Sequence, residues 1–398
     1  MALKPWWNPG SVQALLLDLI QAELARLRPG LQDAARLRAP DPDLGALELD
    51  SLEFLDLATM VAIQFHLHET GHEAALTTRR RLSDWVEIVL ESRACQDGAI
   101  GFQTSGSTGQ PKLCLHDMDL LEQEVAYFAT LLGERRRILR AVPCHHIYGF
   151  LFAFMLPAHL SIPVLDTRRT LPGAVLRQAR AGDLVLGHPA FFDLATRAPL
   201  EMASDVVVLS STSPCPPELW QRFQALGGVR AIEIYGSSET AGVGWREAPE
   251  APFRLLPHWS PDPEAPGRIR RPGVAGKPLS LELPDRFQWL DIEHILILAR
   301  RDGAVQVGGI NVFPERVRAC IERHPEVDEA LVRPDGREPH VRLKAFVVPS
   351  ARCSDPAHLP ERLQIWLAEQ LSAPERPRSI TLGPSLPRSA LGKLTDWD

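Results

Sequence analysis

Apolar residues recur at helical spacing over Ser11–Leu27 (SVQALLLDLIQAELARL), which predicts an amphipathic helix with Ser11 as a candidate N-cap. A Pro/Asp-rich break follows at Ala39–Leu44. The same spacing returns over Leu49–Leu67, predicting a second helix that starts at Asp50 or Ser51, and over Leu82–Leu90, predicting a shorter third. Residues 1–95 therefore read as all-helical. The pattern changes at Gln96–Gly109, where glycines and small hydroxyl residues gather. Beyond it, short β-like runs (RAVPC at 140–144, DLVLGH at 183–188, DVVVLSS at 205–211, RAIEIYG at 230–236) alternate with helical stretches. Such alternation predicts an α/β core around a parallel or mixed sheet. Ala251–Gly276 is Pro/Arg-rich and reads as a surface connection. After Asp302, GAVQVGG, a helix over Pro314–Arg323, VRLKAFVVP and a helix near Leu359–Leu371 predict a smaller α+β unit. The expected organisation is a helical domain at 1–95, a core at 96–300 and a C-terminal domain at 301–398.

Composition narrows the function. The 398 residues carry a formal net charge of -7, which disfavours a general nucleic-acid-binding role. Six scattered cysteines form no C-x-x-C pair, so a zinc ribbon or dithiol redox motif is not expected, and a reducing cytoplasm suits them. The N-terminus has no apolar segment of signal-peptide length. The longest apolar run, Ile147–Leu165, is broken by Pro157, His159 and Pro163 and reads as buried core rather than a membrane span.

Three motifs carry chemistry. In Thr104-Ser105-Gly106-Ser107-Thr108-Gly109-Gln110-Pro111-Lys112, glycines let the backbone approach an anion, amides and hydroxyls can surround phosphate oxygens, and Lys112 adds charge. The spacing is not that of a Walker A loop. In Ile234-Tyr235-Gly236-Ser237-Ser238-Glu239-Thr240-Ala241-Gly242, the tyrosine offers a ring for stacking on a base. Glu239 there offers a hard oxygen for magnesium, and Thr240 a donor to phosphate. In Pro387-Arg388-Ser389-Ala390-Leu391-Gly392-Lys393, a lysine on a Gly-flanked turn can neutralise charge.

In this order, the three motifs and the segment Ala299–Val332 resemble the superfamily of acyl-CoA synthetases, peptide-synthetase adenylation domains and luciferases. The resemblance implies an adenylation core with a small mobile C-terminal domain. It implies ATP and Mg2+ as cofactors, with activation of a small carboxylic acid to an acyl-AMP and transfer to a thiol. By position, Thr104, Ser105, Gly106, Ser107, Thr108, Gly109 and Lys112 would hold the ATP phosphates. Tyr235 would stack on adenine, with Gly236 and Ser237 beside it. Glu239 would bind the metal, and Thr240 would contact the α-phosphate. Ser211, Thr212 and Ser213 stand where the superfamily has a Gly/Ala-rich adenine-binding strand end. Lys393 would be the catalytic lysine. His146, in PCHHIYG, matches the gate beside the acid pocket, which Tyr148, Phe150, His188, Phe191, Ser210 and Gly236 are candidates to line. Asp285 is the candidate ribose ligand, with Asp291 as its rival, because the usual Thr-Gly-Asp is missing. Arg300 and Asp302 match the junction arginine and the hinge.

The front of the chain departs from the pattern. Only about 100 residues precede the phosphate loop, and Leu49-Asp50-Ser51-Leu52 resembles the phosphopantetheine site of an acyl carrier protein, which would make Ser51 the modified serine. Asp-Ser-Leu is equally a helix-initiating sequence. Short length and a carrier-like start also resemble ligases of xanthomonadin and aryl-polyene pigment pathways, which load hydroxybenzoate-type acids onto carrier proteins. The acceptor is therefore a carrier-protein thiol or coenzyme A. The alternative of another class is a non-catalytic module that binds an acyl-adenylate or a carrier.

Overall fold

The computed structural model describes residues 3–28, 37–105, 111–273, 276–301, 303–308, 310–335, 341–388 and 394–397. They form two compact units, one within 1–104 and 111–299 and one of Ser105 with the residues from 300 onward.

Helix α1 runs over Pro9–Leu27, two residues longer at its start than expected. Asn8, not Ser11, caps it: the Asn8 side chain accepts from the Ser11 amide at 3.0 Å. Helix α2 is Ser51–Phe65, opened by a capping box in which Asp50 and Glu53 satisfy each other's backbone amides. A short α3 (Glu73–Thr78) and α4 (Leu82–Cys95) complete the helical start. Strands β1 (Ala99–Ser105) and β2 (Pro111–Asp117) pair with each other, and α5 (Met118–Leu132) follows.

Next come β3 (Arg137–Arg140), β4 (Val164–Asp166), β5 (Asp183–Gly187), β6 (Val206–Ser210) and β7 (Val229–Ser237), all parallel. The strand expected over RAVPC stops at Arg140. Pro143 has no amide hydrogen to continue a ladder. β8 (Ala241–Arg246) and β9 (Phe253–Leu255) then add antiparallel. β10 (Ser260–Pro261), β11 (Arg268–Arg271) and β12 (Leu279–Glu282) form a separate three-stranded sheet. β13 (Asp285–Trp289) and β14 (His294–Arg300) close the nine-stranded sheet, whose order is β13-β14-β9-β8-β7-β6-β5-β3-β4. The expectation of a mere surface connection at Ala251–Gly276 is corrected here. Leu255, Leu256, Trp259 and Ile269 are buried, and their strands extend the architecture.

Both faces of the central strands β5 and β6 are covered, as such sheets require, while the edge strand β4 is exposed. Val185, Val206 and Val208 face a cluster built with Phe192, Leu219 and Trp220 from the helices Pro189–Ala195 and Pro217–Ala225. Their neighbours Leu184, Leu186, Val207 and Leu209 join the opposite cluster. That cluster also holds Leu15 and Leu19 of α1, Leu57 and Val61 of α2, Trp85 and Val89 of α4, and Phe128 of α5. The expected boundary at residue 95 thus falls inside one continuous core, because the apolar stripes of α1, α2 and α4 are part of what covers the sheet.

The apolar run after His146 is buried from Ile147 to Pro157 and winds as a π-helix over Phe150–Met155. Among the described residues no helix is long and apolar enough to cross a membrane.

In the second unit, β15 (Val305–Val307) and β16 (Ile310–Val312) pair antiparallel. β17 (Val327–Asp335), β18 (Arg342–Pro349) and β19 (Ser379–Leu382) form a sheet, antiparallel then parallel. The helices Pro314–Ile321 and Leu359–Gln370 share its core through Val317, Ile321, Leu363 and Leu367.

Candidate active site

Open α/β sheets bind ligands at the carboxyl ends of their parallel strands. Four adjacent strand ends carry candidate residues. His146 lies in the loop after β3, and His188 directly follows β5. Ser210 ends β6 with Ser211, Thr212 and Ser213 beyond it, and Tyr235, Gly236 and Ser237 end β7. The sequence scattered these residues over about 90 positions; the parallel register places them along one edge.

The Tyr235–Gly242 motif is a tight hairpin between β7 and β8. Its glycines answer to close approach: a Cβ on Gly236 would meet the Ala241 carbonyl oxygen at 2.2 Å, and one on Gly242 would meet Glu124 Oε1 at 2.2 Å. Inside the turn the Thr240 hydroxyl accepts from the Ser237 amide at 3.1 Å and donates to the Ala241 carbonyl at 2.9 Å. The Ser237 hydroxyl accepts from the amides of Glu239 and Thr240. Thr240 is buried, while Glu239 is only half-buried at the tip.

Lys112, the last residue of the phosphate-loop motif, lies in β2 with its Nζ 3.7 Å from Glu239 Oε1. The two motifs that the sequence separates by more than a hundred residues therefore meet. A cation stands where a metal is expected, and the Glu239 carboxylate is a hard oxygen donor of the kind magnesium takes. Burial first, and the Glu239 carboxylate second, push the neighbouring Cys114 thiol up to about 11, so it stays protonated. Gly106, Ser107, Thr108, Gly109, Asp302 and Lys393 lie outside the described residues, and of Thr104 and Ser105 only the backbone, at the end of β1, is described. In the second unit, Arg388 and Leu394 form an antiparallel bridge.

Tyr235 donates its phenol proton to Asp285 Oδ2 at 2.8 Å, and Asp285 is buried at the start of β13. Asp291 is exposed in a turn, accepting from the Glu293 amide and paired with His294 Nδ1 at 2.9 Å. Of the two ribose candidates, only Asp285 is brought to the motif. Arg300 ends β14.

The acid-pocket candidates divide. Tyr148 is buried, and its hydroxyl donates to the Leu209 carbonyl at 2.7 Å, so its polar end is anchored to β6; burial raises its pKa and keeps it a neutral phenol. Ser210, the residue after Leu209, is also buried. His188 caps the helix Pro189–Ala195, its Nδ1 accepting from the Phe191 amide at 3.3 Å. His146 is exposed, its ring centre 4.0 Å from that of His145. Phe150 is wholly buried and stacks on Phe154. Ser51 is exposed in the first turn of α2, where the Asp50–Glu53 box accounts for the Asp-Ser-Leu sequence by helix initiation.

Several residues that hold the site gave no motif. His116 in β2 is mostly withdrawn from water, which lowers its pKa, and its Nε2–H donates to the Ser238 carbonyl at 2.6 Å. The one signal was a histidine within an apolar strand. Glu124 of α5 is fully buried and takes the Gly242 amide between its two oxygens at 3.0 and 3.1 Å. Burial pushes its carboxyl up to about 8, against the pull of Arg271. Glu233 accepts from the Cys215 amide and from Arg246 Nε, fastening the Ser211–Cys215 loop to β7. Asp18 of α1, buried, accepts from Arg140 at 2.6 Å and from the Cys144 amide at 2.7 Å, so α1 fixes the loop that carries His146. A cavity of about 430 Å³ opens from Glu239 and Thr240, with His116, Asp117, Arg271 and Lys277 among its walls.

Comparison with known proteins agrees with this geometry. The profile of the AMP-binding enzyme family matches residues 55–289, and that of the AMP-binding enzyme C-terminal domain matches 317–393. A 4-coumarate–CoA ligase of Cereibacter sphaeroides is 38% identical over 361 residues, 89% of this chain and 85% of that one. A 4-coumarate–CoA ligase of Halorhodospira halophila is 36% identical over 395 residues, 97% and 99% of the two chains. The fold resembles that of an amide bond synthetase from Marinactinospora thermotolerans, with a TM-score of 0.61 at 21% identity over 75% of this chain and 68% of that one. Profile, relatives and strand-end geometry converge: the chain belongs to the adenylate-forming superfamily of AMP-binding enzymes, as an ATP-dependent, AMP-forming acid–thiol ligase.

Proposed function

We propose that this enzyme activates an aromatic carboxylic acid, of the hydroxycinnamate or hydroxybenzoate type, and transfers its acyl group to coenzyme A. The observation that carries the reading is the meeting of Lys112 and Glu239 beside Thr240. The names of the two ligases, and the near-full-length match to the second, support an aryl acid and coenzyme A.

The chemistry follows from charge. At neutral pH the acid is already a carboxylate, so no general base is needed. One carboxylate oxygen bonds to the ATP α-phosphorus while the bond to the bridging oxygen breaks and pyrophosphate leaves with that electron pair. Both reactants are anionic, so the barrier is largely electrostatic. Lys112 lowers it on the phosphate side, and Lys393, by its motif, on the carboxylate side. Thr240 orients the α-phosphate. Glu239 would hold Mg2+, which supplies further neutralisation of the phosphates. Tyr235 stacks on the base, and Asp285, fixed by the Tyr235 hydroxyl, receives the ribose. In the second step a thiolate attacks the acyl carbonyl, and AMP departs. Asp302 is the proposed hinge between the two steps.

The test presents 4-coumarate, 4-hydroxybenzoate and octanoate with ATP and either coenzyme A or a phosphopantetheinylated carrier protein. An aryl-CoA thioester is the expected product. A thioester formed only on the carrier replaces coenzyme A as the acceptor, and preference for octanoate overturns the aromatic assignment.

A further inference from the structure

His66, His68 and Glu69 take no part in the site described above. His66 ends α2 with left-handed backbone, φ 54°, and the chain turns at once into a 3-10 segment, Leu67–Glu69. That turn gathers three side chains: one ligand atom from each of His66, His68 and Glu69 lies within 4.8 Å of the others.

His66 is only 9% exposed, yet neither of its ring nitrogens has a hydrogen-bond partner. A buried imidazole in that state has given up its water without replacement, and such groups call for an explanation. The geometry around it points to a cation. Nδ1 stands 3.5 Å from Glu69 Oε1, and the other Glu69 oxygen is held by Gln96 Nε2 at 2.6 Å. A ligating carboxylate is itself held by a hydrogen bond, as Gln96 holds the far oxygen of Glu69, leaving Oε1 on the imidazole side. The His68 ring centre lies 5.1 Å from that of His66. A tetrahedral ion with bonds of about 2.0–2.1 Å sets its ligand atoms roughly 3.3 Å apart, so small side-chain adjustments close the set.

We propose that His66, His68 and Glu69 bind one divalent transition-metal ion, zinc by the chemistry of two imidazoles and a carboxylate, with water at the remaining position. None of its ligands belongs to the ligase site, and its position is one of bracing. Gly101 of β1 packs against it: a Cβ there would lie 3.1 Å from the Ile63 carbonyl oxygen and 3.7 Å from His66 Nε2. Through Gln96 it also reaches the end of α4. The ion braces α2 and α4 against the strand that leads into the glycine-rich loop.

The full-length protein, stripped with a chelator and desalted, is titrated with Zn2+ alone by calorimetry, and the bound metal is counted by elemental analysis. One equivalent is expected, with a rise in unfolding temperature. His68→Ala and Glu69→Gln, both at exposed positions, are expected to weaken binding at least about tenfold and to lose the thermal shift. Cys95→Ser, which removes an exposed thiol, is expected to bind as the unaltered chain does. No binding, equal binding in both His68→Ala and Glu69→Gln, or loss in Cys95→Ser overturns the proposal.

Discussion

Thr212 shows at the scale of one residue how far the sequence departs from its superfamily and what that costs. It lies just beyond the end of β6, where adenine is proposed to bind, with φ 78°, a conformation hard for a β-branched side chain, and its buried hydroxyl has no partner. Thr212→Gly relieves both, and is expected to raise unfolding stability by about 1 kcal/mol in denaturant titrations; a loss of stability would contradict the strain argument. Lys112 and Glu239 illustrate the opposite case, residues whose types suggested the phosphate and metal roles proposed for them, and the fold brings them together. Lys112→Ala removes one preorganised charge and is expected to lower acid-dependent pyrophosphate exchange by about 10²-fold with the unfolding temperature unchanged. Unaltered exchange would separate Lys112 from the phosphates. His116 and Glu124 were illegible for a plain reason. Each acts by holding the backbone of a hairpin more than a hundred residues away, and only the fold pairs them with it.

Among the elements, α5 and the β7–β8 hairpin form a unit joined through Glu124. The sign of its pH dependence follows from the raised carboxyl. Below pH 4.5 folded and unfolded chains both hold the proton, and the contribution to stability is fully present. Between 4.5 and about 8 the unfolded chain has released the proton while the folded chain retains it, so stability falls, and the contribution is lost as pH rises through the folded value. The fall should approach about 1.4 kcal/mol per pH unit, and Glu124→Gln should abolish that component. Parallel stability curves for the two proteins between pH 5 and 8 would refute it. The secondary structure around this unit was largely readable. Strands β5, β6 and β7 fall on the apolar runs, because a strand buried on both faces has little polar sequence to confuse it. β9 to β12 were not readable: short antiparallel strands interrupted by prolines and arginines present neither period over enough residues.

At the scale of the whole molecule, the helical start is the feature the sequence described correctly as helix and placed wrongly in space. Its amphipathic stripes fixed α1, α2 and α4, but periodicity says that a face is buried and not against what. Here they join the core of the sheet. Asp18 and Arg140 then couple α1 to the loop bearing His146 through a buried ion pair of 2.6 Å. The front of the chain is thus part of the larger unit's scaffold. The 4-coumarate–CoA ligase of Halorhodospira halophila aligns over 97% of this chain and 99% of itself, so the match extends into the helical start.

The central claim is that separated motifs converge on ATP to activate an organic anion, and acid-dependent exchange of labelled pyrophosphate into ATP tests it without regard to the thiol acceptor. Exchange with an aromatic acid in the unaltered enzyme, abolished by Lys393→Ala while ATP binding persists, is the expected result. No exchange with any aromatic or aliphatic acid, or full exchange in Lys393→Ala, would contradict it.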